Sequence, residues 1–157
     1  TALSSFGQFD DRVTPLQIAM IASAVANAGV EMKPNLVENV QSANLASLWS
    51  PQPTQYSNPI SAQTANWLKQ MMINAVARGV SSNGAIPGVS VAGKTGTAQN
   101  GKGEPYTLWF TGFAPAENPK VAIAVVIENG GGIGQAGRGN SLAAPVAKKV
   151  MQAVLNR

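Results

Sequence analysis

The sequence predicts an α/β fold, an antiparallel sheet of at least three strands flanked by helices, on three observations. Two apolar segments with helix start and stop signals occupy residues 14–29 and 61–79. Three stretches of strand character, 89–99, 106–114 and 121–127, then follow one another across turns too short to link anything but antiparallel neighbours. A last helical segment closes the chain.

The first helix opens at Thr14-Pro15-Leu16-Gln17, where Thr at N-cap, Pro at N1 and Gln at N3 form a capping box with a preset φ. It should run to about Ala28, with Gly29 as a left-handed stop. Its body (Ile18 to Ala22, then Ala24 to Ala26) is apolar nearly all round, which predicts a central helix packed on several sides. Residues 34–41 suggest a short strand, and 50–60, with Pro51, Pro53 and Pro59, a loop. A second helix is predicted from Ser61 to Arg78, with Ala65, Leu68, Met72, Ala75 and Val76 as its apolar stripe, Met71 beside Met72 in the core, and Gly79 closing it. Ser81-Ser82-Asn83-Gly84 reads as a turn into a strand that begins with the alternation Val89-Ser90-Val91-Ala92. Asn100 to Pro105 is turn chemistry, so Tyr106–Ala114 completes a hairpin, with Trp109, Phe110 and Phe113 assigned to the core. Val121–Ile127, apolar on both faces, is the third strand. A glycine-rich loop, 130–139, leads to a helix from about Ser141 to Leu155, in which Pro145 belongs to the first turns and Leu142, Val146, Val150 and Val154 mark the buried face.

Composition removes whole classes of chemistry. With no histidine and no cysteine among 157 residues, His-based triads, thiolate catalysis, disulfides and His- or Cys-ligated metal sites are unavailable. Any general base must be Lys, Asp or Glu. The net charge of +4 arises from scattered residues without a basic run, which argues against nucleic acid. No stretch approaches the roughly 18–20 apolar residues of a spanning helix, and neither a metal nor an organic cofactor is called for.

The most informative segment is Lys94-Thr95-Gly96-Thr97, a cation, two hydroxyls and a bare backbone position within one strand. Strand geometry places Lys94 and Gly96 on one face and Thr95 and Thr97 on the other, side by side. Such a set suits a small anionic ligand. Two glycine patterns compete with this reading. Gly88 to Thr95 satisfies the phosphate-loop expression Gly-x4-Gly-Lys-Thr, yet its interior alternates like a strand and the Gly/Asn/Pro turn that follows cannot open a helix. Gly132-Ile133-Gly134-Gln135-Ala136-Gly137 satisfies a dinucleotide fingerprint but has no acidic residue downstream for a ribose, so it reads as a curved rim loop. Arg138 and Asn140, within and just after it, have a slight claim to ligand contact.

Taken in order, Gly7-Gln8, Val13 to Ala19, Lys94 to Gln99, Trp109 to Pro115, Val121–Ile127 and Ala143 to Val146 resemble the C-terminal part of a class B penicillin-binding protein transpeptidase domain, nearest the actinobacterial PbpA-like group. The resemblance spans essentially the whole chain and implies the penicillin-binding transpeptidase and serine β-lactamase-like fold. It implies that residues 1–157 form the C-terminal segment of that domain, a mainly helical part over about 1–88 and a hairpin, third strand and C-terminal helix over 89–157. No serine is followed three positions later by lysine, so the family's Ser-x-x-Lys nucleophile is absent from this sequence and the chain alone is expected to be catalytically incomplete. Ser42-Ala43-Asn44 and Ser81-Ser82-Asn83 match Ser-x-Asn by letter, but they follow the Thr-Pro-Leu-Gln helix, so both read as chance matches in loops.

The implied enzyme is a serine D,D-transpeptidase that cross-links peptidoglycan stem peptides ending in D-Ala-D-Ala through an acyl-serine, and that β-lactams inhibit. Within it, Thr95 and Thr97 would bind the ligand carboxylate, Gly96 would keep the approach open, and Lys94 would supply positive potential and help set the protonation of the serine and lysine. The Thr97 N–H would be an oxyanion donor, a role worth roughly 10²–10³ in rate elsewhere. The partners implied are the rest of the same domain, the stem peptide, and cell-wall synthesis or division proteins, at the outer face of a bacterial membrane and anchored by a segment outside this sequence. A carboxylate-binding scaffold without acylation is the alternative from another class, and a phosphate-loop NTPase a remote one. Two further strands of the family's sheet would come from the missing part, one of them pairing with Val121–Ile127, so that edge should be open here and residues 1–157 alone should be poorly soluble.

Overall fold

A computed structural model of the chain describes residues 4–8 and 11–156. After a short 3-10 turn at Ser4–Phe6, helix α1 spans Pro15–Ala26. The Thr14 hydroxyl accepts the Gln17 N–H at 3.2 Å and the Gln17 side chain accepts the Thr14 N–H at 2.8 Å, the capping box that the spacing predicts. Such a cap contributes about 1 kcal/mol. The helix ends through two left-handed residues, Ala28 (φ 53°) and Gly29 (φ 92°), and only glycine fits the second because a Cβ there would lie 2.2 Å from the Ile60 carbonyl oxygen. Burial on α1 is one-sided, contrary to expectation: Ala22, Ala24 and Val25 are buried, but Leu16 and Ile21 face out. An all-apolar helix declares that it can be covered, and it does not say which of its faces the described residues cover.

Four short strands follow, β1 (Glu31–Met32), β2 (Val40–Gln41), β3 (Ser47–Trp49) and β4 (Gln55–Ser57), with β1 paired to β4 and β2 to β3. The strand expected over 34–41 is only its last two residues, and the segment expected to be a loop over 50–60 contains β4. Strands of two or three residues carry no measurable alternation, and Pro51, Pro53 and Pro59 flank β4 without removing an N–H from it. Helix α2 spans Ala62–Ala77, capped by the Ser61 hydroxyl on the Thr64 N–H at 3.1 Å. Ala65 and Val76 are buried and Leu68, Met72 and Ile73 pack against the cluster of Ala22, Val25, Ala92, Phe113 and Ala116, but Met71 is 60% exposed and not core. One helical step of 100° turns it away from Met72.

The main sheet consists of β5 (Ala92–Ala98), β6 (Thr107–Ala114) and β7 (Val121–Ile127), antiparallel in that order. β5 starts later than the Val89 alternation suggests, because Val89 bridges back to Ile86 and the Ser90 carbonyl is taken by the Ala116 N–H at 2.8 Å. Residues directly opposite share a face. Phe110, Val125 and Ile127 therefore face α3 (Gly139–Leu155), and Ala92, Phe113 and Ala122 face α1. The Phe110 ring crosses over Gly93 and Gly84, where any Cβ would approach it to 2.5 and 2.8 Å. Trp109 is only half-buried, unlike Phe110 and Phe113.

Helix α3 corrects the expected buried stripe. Ala143, Ala144, Ala147 and Met151 face the sheet, Leu142 is half-buried, and Val146, Val150 and Val154 lie outward, Val150 with 45% exposure. Both rows recur at helical spacing, so periodicity alone does not choose between them. Volume does: Phe110 and the β7 side chains already fill the space above the sheet, and alanines let the helix sit close to it. The far edge of β7 has no strand partner among the described residues. Residues 1–157 expressed alone are accordingly expected to aggregate. Size-exclusion chromatography and a thermal melt check this, and a monodisperse fragment with one cooperative transition contradicts it.

Candidate functional site

The Lys94–Thr97 segment lies in the middle of β5, at an edge of the main sheet. In an antiparallel pair, each residue directs its N–H and C=O to the same side, and the side alternates along the strand. Three contacts identify the outward set here. The Thr95 N–H donates to the Ser81 hydroxyl at 3.1 Å, the Thr97 C=O accepts from Gln8 Nε2 at 3.3 Å, and the Gln99 N–H donates to Gln8 Oε1 at 3.1 Å. Residues 95, 97 and 99 thus present their backbone to the open edge, and 94, 96 and 98 bond to β6. The Thr97 N–H points outward with no partner among the described residues.

The four side chains are not equivalent. Lys94 is exposed and its ammonium donates to the Thr95 carbonyl, which brings a positive charge to the same edge as the Thr97 N–H. Thr95 and Thr97 share a face, as expected, but the Thr95 hydroxyl proton is committed to the Val80 carbonyl at 3.3 Å, with the Ser81 hydroxyl donating to its oxygen at 3.4 Å. The Thr97 hydroxyl accepts from the Gly139 N–H at 3.4 Å, and its own proton has no acceptor among the described residues. Gly139 is the first residue of α3, and the positive end of that 17-residue helix adds to the preference for an anion. A Cβ on Gly139 would lie 2.4 Å from the Trp109 oxygen and 2.5 Å from the Gly96 oxygen, so the helix reaches Thr97 only because residue 139 has no side chain. Gly96 leaves its own position on the strand bare.

The two glycine patterns resolve differently. Lys94 and Thr95 sit mid-strand and no helix follows them, so Gly88–Thr95 does not form a phosphate loop. Gly132–Gly137 joins the end of one 3-10 turn, Asn129–Gly132, to a second, Gly134–Ala136, with Gly132 and Gly134 left-handed, and forms the rim beside β6. The Arg138 guanidinium is spent on the Gln135 and Gly137 carbonyls, both at 2.7 Å, and lies over the Tyr106 ring. Asn140 holds α3 to the 82–84 turn, accepting the Asn83 N–H at 3.0 Å. Of the Ser-x-Asn matches, Ser42–Asn44 closes its own hairpin turn through the Ser42 hydroxyl and the Asn44 side chain. Ser81 is different: it is fully buried and its hydroxyl supports Thr95. Burial makes it a support and not a nucleophile. Two surface depressions, one between the 82–87 turn and α3 and one between α1 and the start of β7, lie away from Lys94–Thr97, which runs along an open edge.

Sequence reasoning assigned no role to Gln8, Ser81 or Gly139. Each acts on β5 from a distant point in the chain, and none carries a local pattern that says so. Only the Gly7-Gln8 pair offered a hint, as one of the landmarks of the resemblance.

Comparison with known proteins adds three findings. The family model described as "Penicillin binding protein transpeptidase domain" matches residues 1–152. The chain is 41% identical over 156 residues to "Peptidoglycan D,D-transpeptidase PbpA" of Mycolicibacterium smegmatis, and 40% identical to the protein of that name from Mycobacterium tuberculosis; each match covers 98% of this chain and 31% of the relative, so the chain spans about a third of their length. Among solved structures, penicillin-binding protein A from M. tuberculosis as its ceftriaxone acyl-enzyme matches with a TM-score of 0.89 at 40% identity, over 98% of this chain and 35% of that one. Its penicillin G acyl-enzyme matches with a TM-score of 0.83 at 38% identity, over 98% and 34%.

Proposed function

Because this chain belongs to the penicillin-binding protein transpeptidase family, we propose that β5 is the ligand-binding strand of a peptidoglycan D,D-transpeptidase whose acylated serine lies outside residues 1–157. The observation that carries the reading is the outward Thr97 N–H, without a partner among the described residues and flanked on one edge by the Lys94 ammonium and the Thr97 hydroxyl. An extended ligand can pair with such an edge as an added strand. The Lys94 charge and the Thr97 hydroxyl suit a carboxylate. Thr95, its proton held by Val80 and its oxygen by Ser81, supports the strand and does not bind the carboxylate, in contrast to the two equal hydroxyls of the sequence reading.

Acyl transfer then divides as follows. The stem peptide ending in D-Ala-D-Ala, or a β-lactam in its place, lies along β5 with its carboxylate held by Lys94 and Thr97. Attack by the serine places negative charge on the carbonyl oxygen, and the Thr97 N–H donates to it; collapse breaks the D-Ala-D-Ala amide bond, so that the terminal D-Ala leaves with the serine's proton on its nitrogen, or opens the ring amide of a β-lactam. Gly96 adds no side chain to the approach. The amine of a neighbouring stem takes the acyl group from the serine. The substrate sets the place of work, the outer face of a bacterial cell membrane. No described helix is long and apolar enough to cross one, so the anchor is assigned to another part of the protein.

Intact-mass spectrometry of the natural full-length protein with penicillin G tests this reading. A covalent adduct that resists dilution is the expected result. Reversible binding without an adduct overturns the enzyme reading in favour of a carboxylate-binding scaffold.

A further inference from the structure

The Gln8 carboxamide is bonded to the open edge of β5 as a strand would be, with Nε2 to the Thr97 C=O at 3.3 Å and Oε1 to the Gln99 N–H at 3.1 Å. On the other side of Thr97, the Ser81 hydroxyl takes the Thr95 N–H at 3.1 Å and the Lys94 ammonium takes the Thr95 C=O. Between these occupied groups, the outward Thr97 N–H has no partner among the described residues. Residues paired across an antiparallel edge exchange two bonds, one in each direction. A ligand whose carbonyl accepts from the Thr97 N–H would therefore donate its own amide N–H to the Thr97 C=O, the acceptor that Gln8 Nε2 already uses.

We propose that Gln8 is a specificity-determining residue that competes for the Thr97 carbonyl, and so handicaps ligands that bring an amide N–H to that position relative to ligands that use the Thr97 N–H alone. The proposal rests on β5 being the ligand strand, as proposed above, and adds the identity of the competing group. The two kinds of ligand exist among β-lactams. Penicillin G carries an acylamino N–H beside its reactive carbonyl, and imipenem carries a hydroxyethyl group there. Both are found as acyl-enzyme complexes of the M. tuberculosis protein that this chain resembles.

The test is the ratio of acylation rate constants, penicillin G over imipenem, in the full-length protein and in its Gln8→Met variant, which keeps side-chain bulk and loses both hydrogen bonds. Releasing one competing hydrogen bond is expected to raise the ratio about five-fold. Gln8→Ala, measured beside it with thermal melts of all three proteins, separates competition from damage, because loosening of β5 slows both ligands together and leaves the ratio where it was. An unchanged or lowered ratio in both variants overturns the role of Gln8 and leaves the ligand strand standing. Failure of both ligands to acylate the unsubstituted protein overturns the ligand-strand reading, and the role of Gln8 with it.

Discussion

Replacing the Thr97 amide by an ester, through incorporation of the α-hydroxy analogue of threonine, is expected to slow acylation by penicillin G by about 10²–10³-fold. The exchange replaces the N–H by an oxygen and keeps the side chain. Because the Thr97 N–H points to the open edge, no bond to β6 is lost; the only collateral effect is a weaker Gly96 carbonyl as an acceptor within the ladder. The fold should survive with a loss of about 1 kcal/mol, the ordinary worth of one such bond. The same exchange at Thr95 removes an N–H whose partner is the buried Ser81 hydroxyl, so it is expected to cost stability first, with a rate effect at least ten-fold smaller than at Thr97. Stopped-flow acylation of the two ester proteins at matched temperature distinguishes them. Equal rates at both positions would remove Thr97 from the proposed chemistry.

Gly139→Ala is expected to be the most damaging single-methyl change in the chain's site. The added carbon would lie within 2.5 Å of two backbone oxygens, those of Trp109 and Gly96, which face each other across the β5–β6 pair. Neither is the tip of a flexible side chain, so α3 must lift or the strand pair must open. Overpacking of this kind costs about 1–3 kcal/mol. The displaced helix also withdraws the Gly139 N–H from the Thr97 hydroxyl, so acylation should fall even where the protein remains folded. Ser141→Ala, one turn into the same helix, loses a single exposed bond to the Arg138 carbonyl and is expected to cost within about 1 kcal/mol. Chemical denaturation midpoints check both variants. A Gly139→Ala midpoint equal to that of the unsubstituted protein would contradict the close docking of α3 on β5.

The features legible in the sequence were those written into contiguous residues. The Thr14 to Gln17 box fixed the start of α1, the Ser61 cap that of α2, and the short turns at 100–105 and 115–119 required β5, β6 and β7 to be antiparallel neighbours. The strands β1 to β4 were hidden because two or three residues are too few to alternate. The orientation of α3 was hidden for another reason: Val146, Val150 and Val154 outrank Ala143, Ala144 and Ala147 in hydrophobicity, but the space over Phe110 admits only the smaller set. At the site, the residue types at 94–97 were legible, and their inequality was not. That Thr95 is spent and Thr97 is free follows from Val80, Ser81 and Gly139, and no spacing rule links those positions to β5.

In the proposed division of labour, this chain binds and polarises an acyl donor that a serine elsewhere in the protein attacks. Peptide mapping of the full-length protein after reaction with penicillin G tests it most directly. The penicilloyl group is expected on a serine outside residues 1–157, formed rapidly in the unsubstituted protein and about 10²–10³-fold more slowly in the Thr97 ester protein. A penicilloyl group on a serine within residues 1–157, or one formed at the same rate with and without the Thr97 N–H, would contradict it.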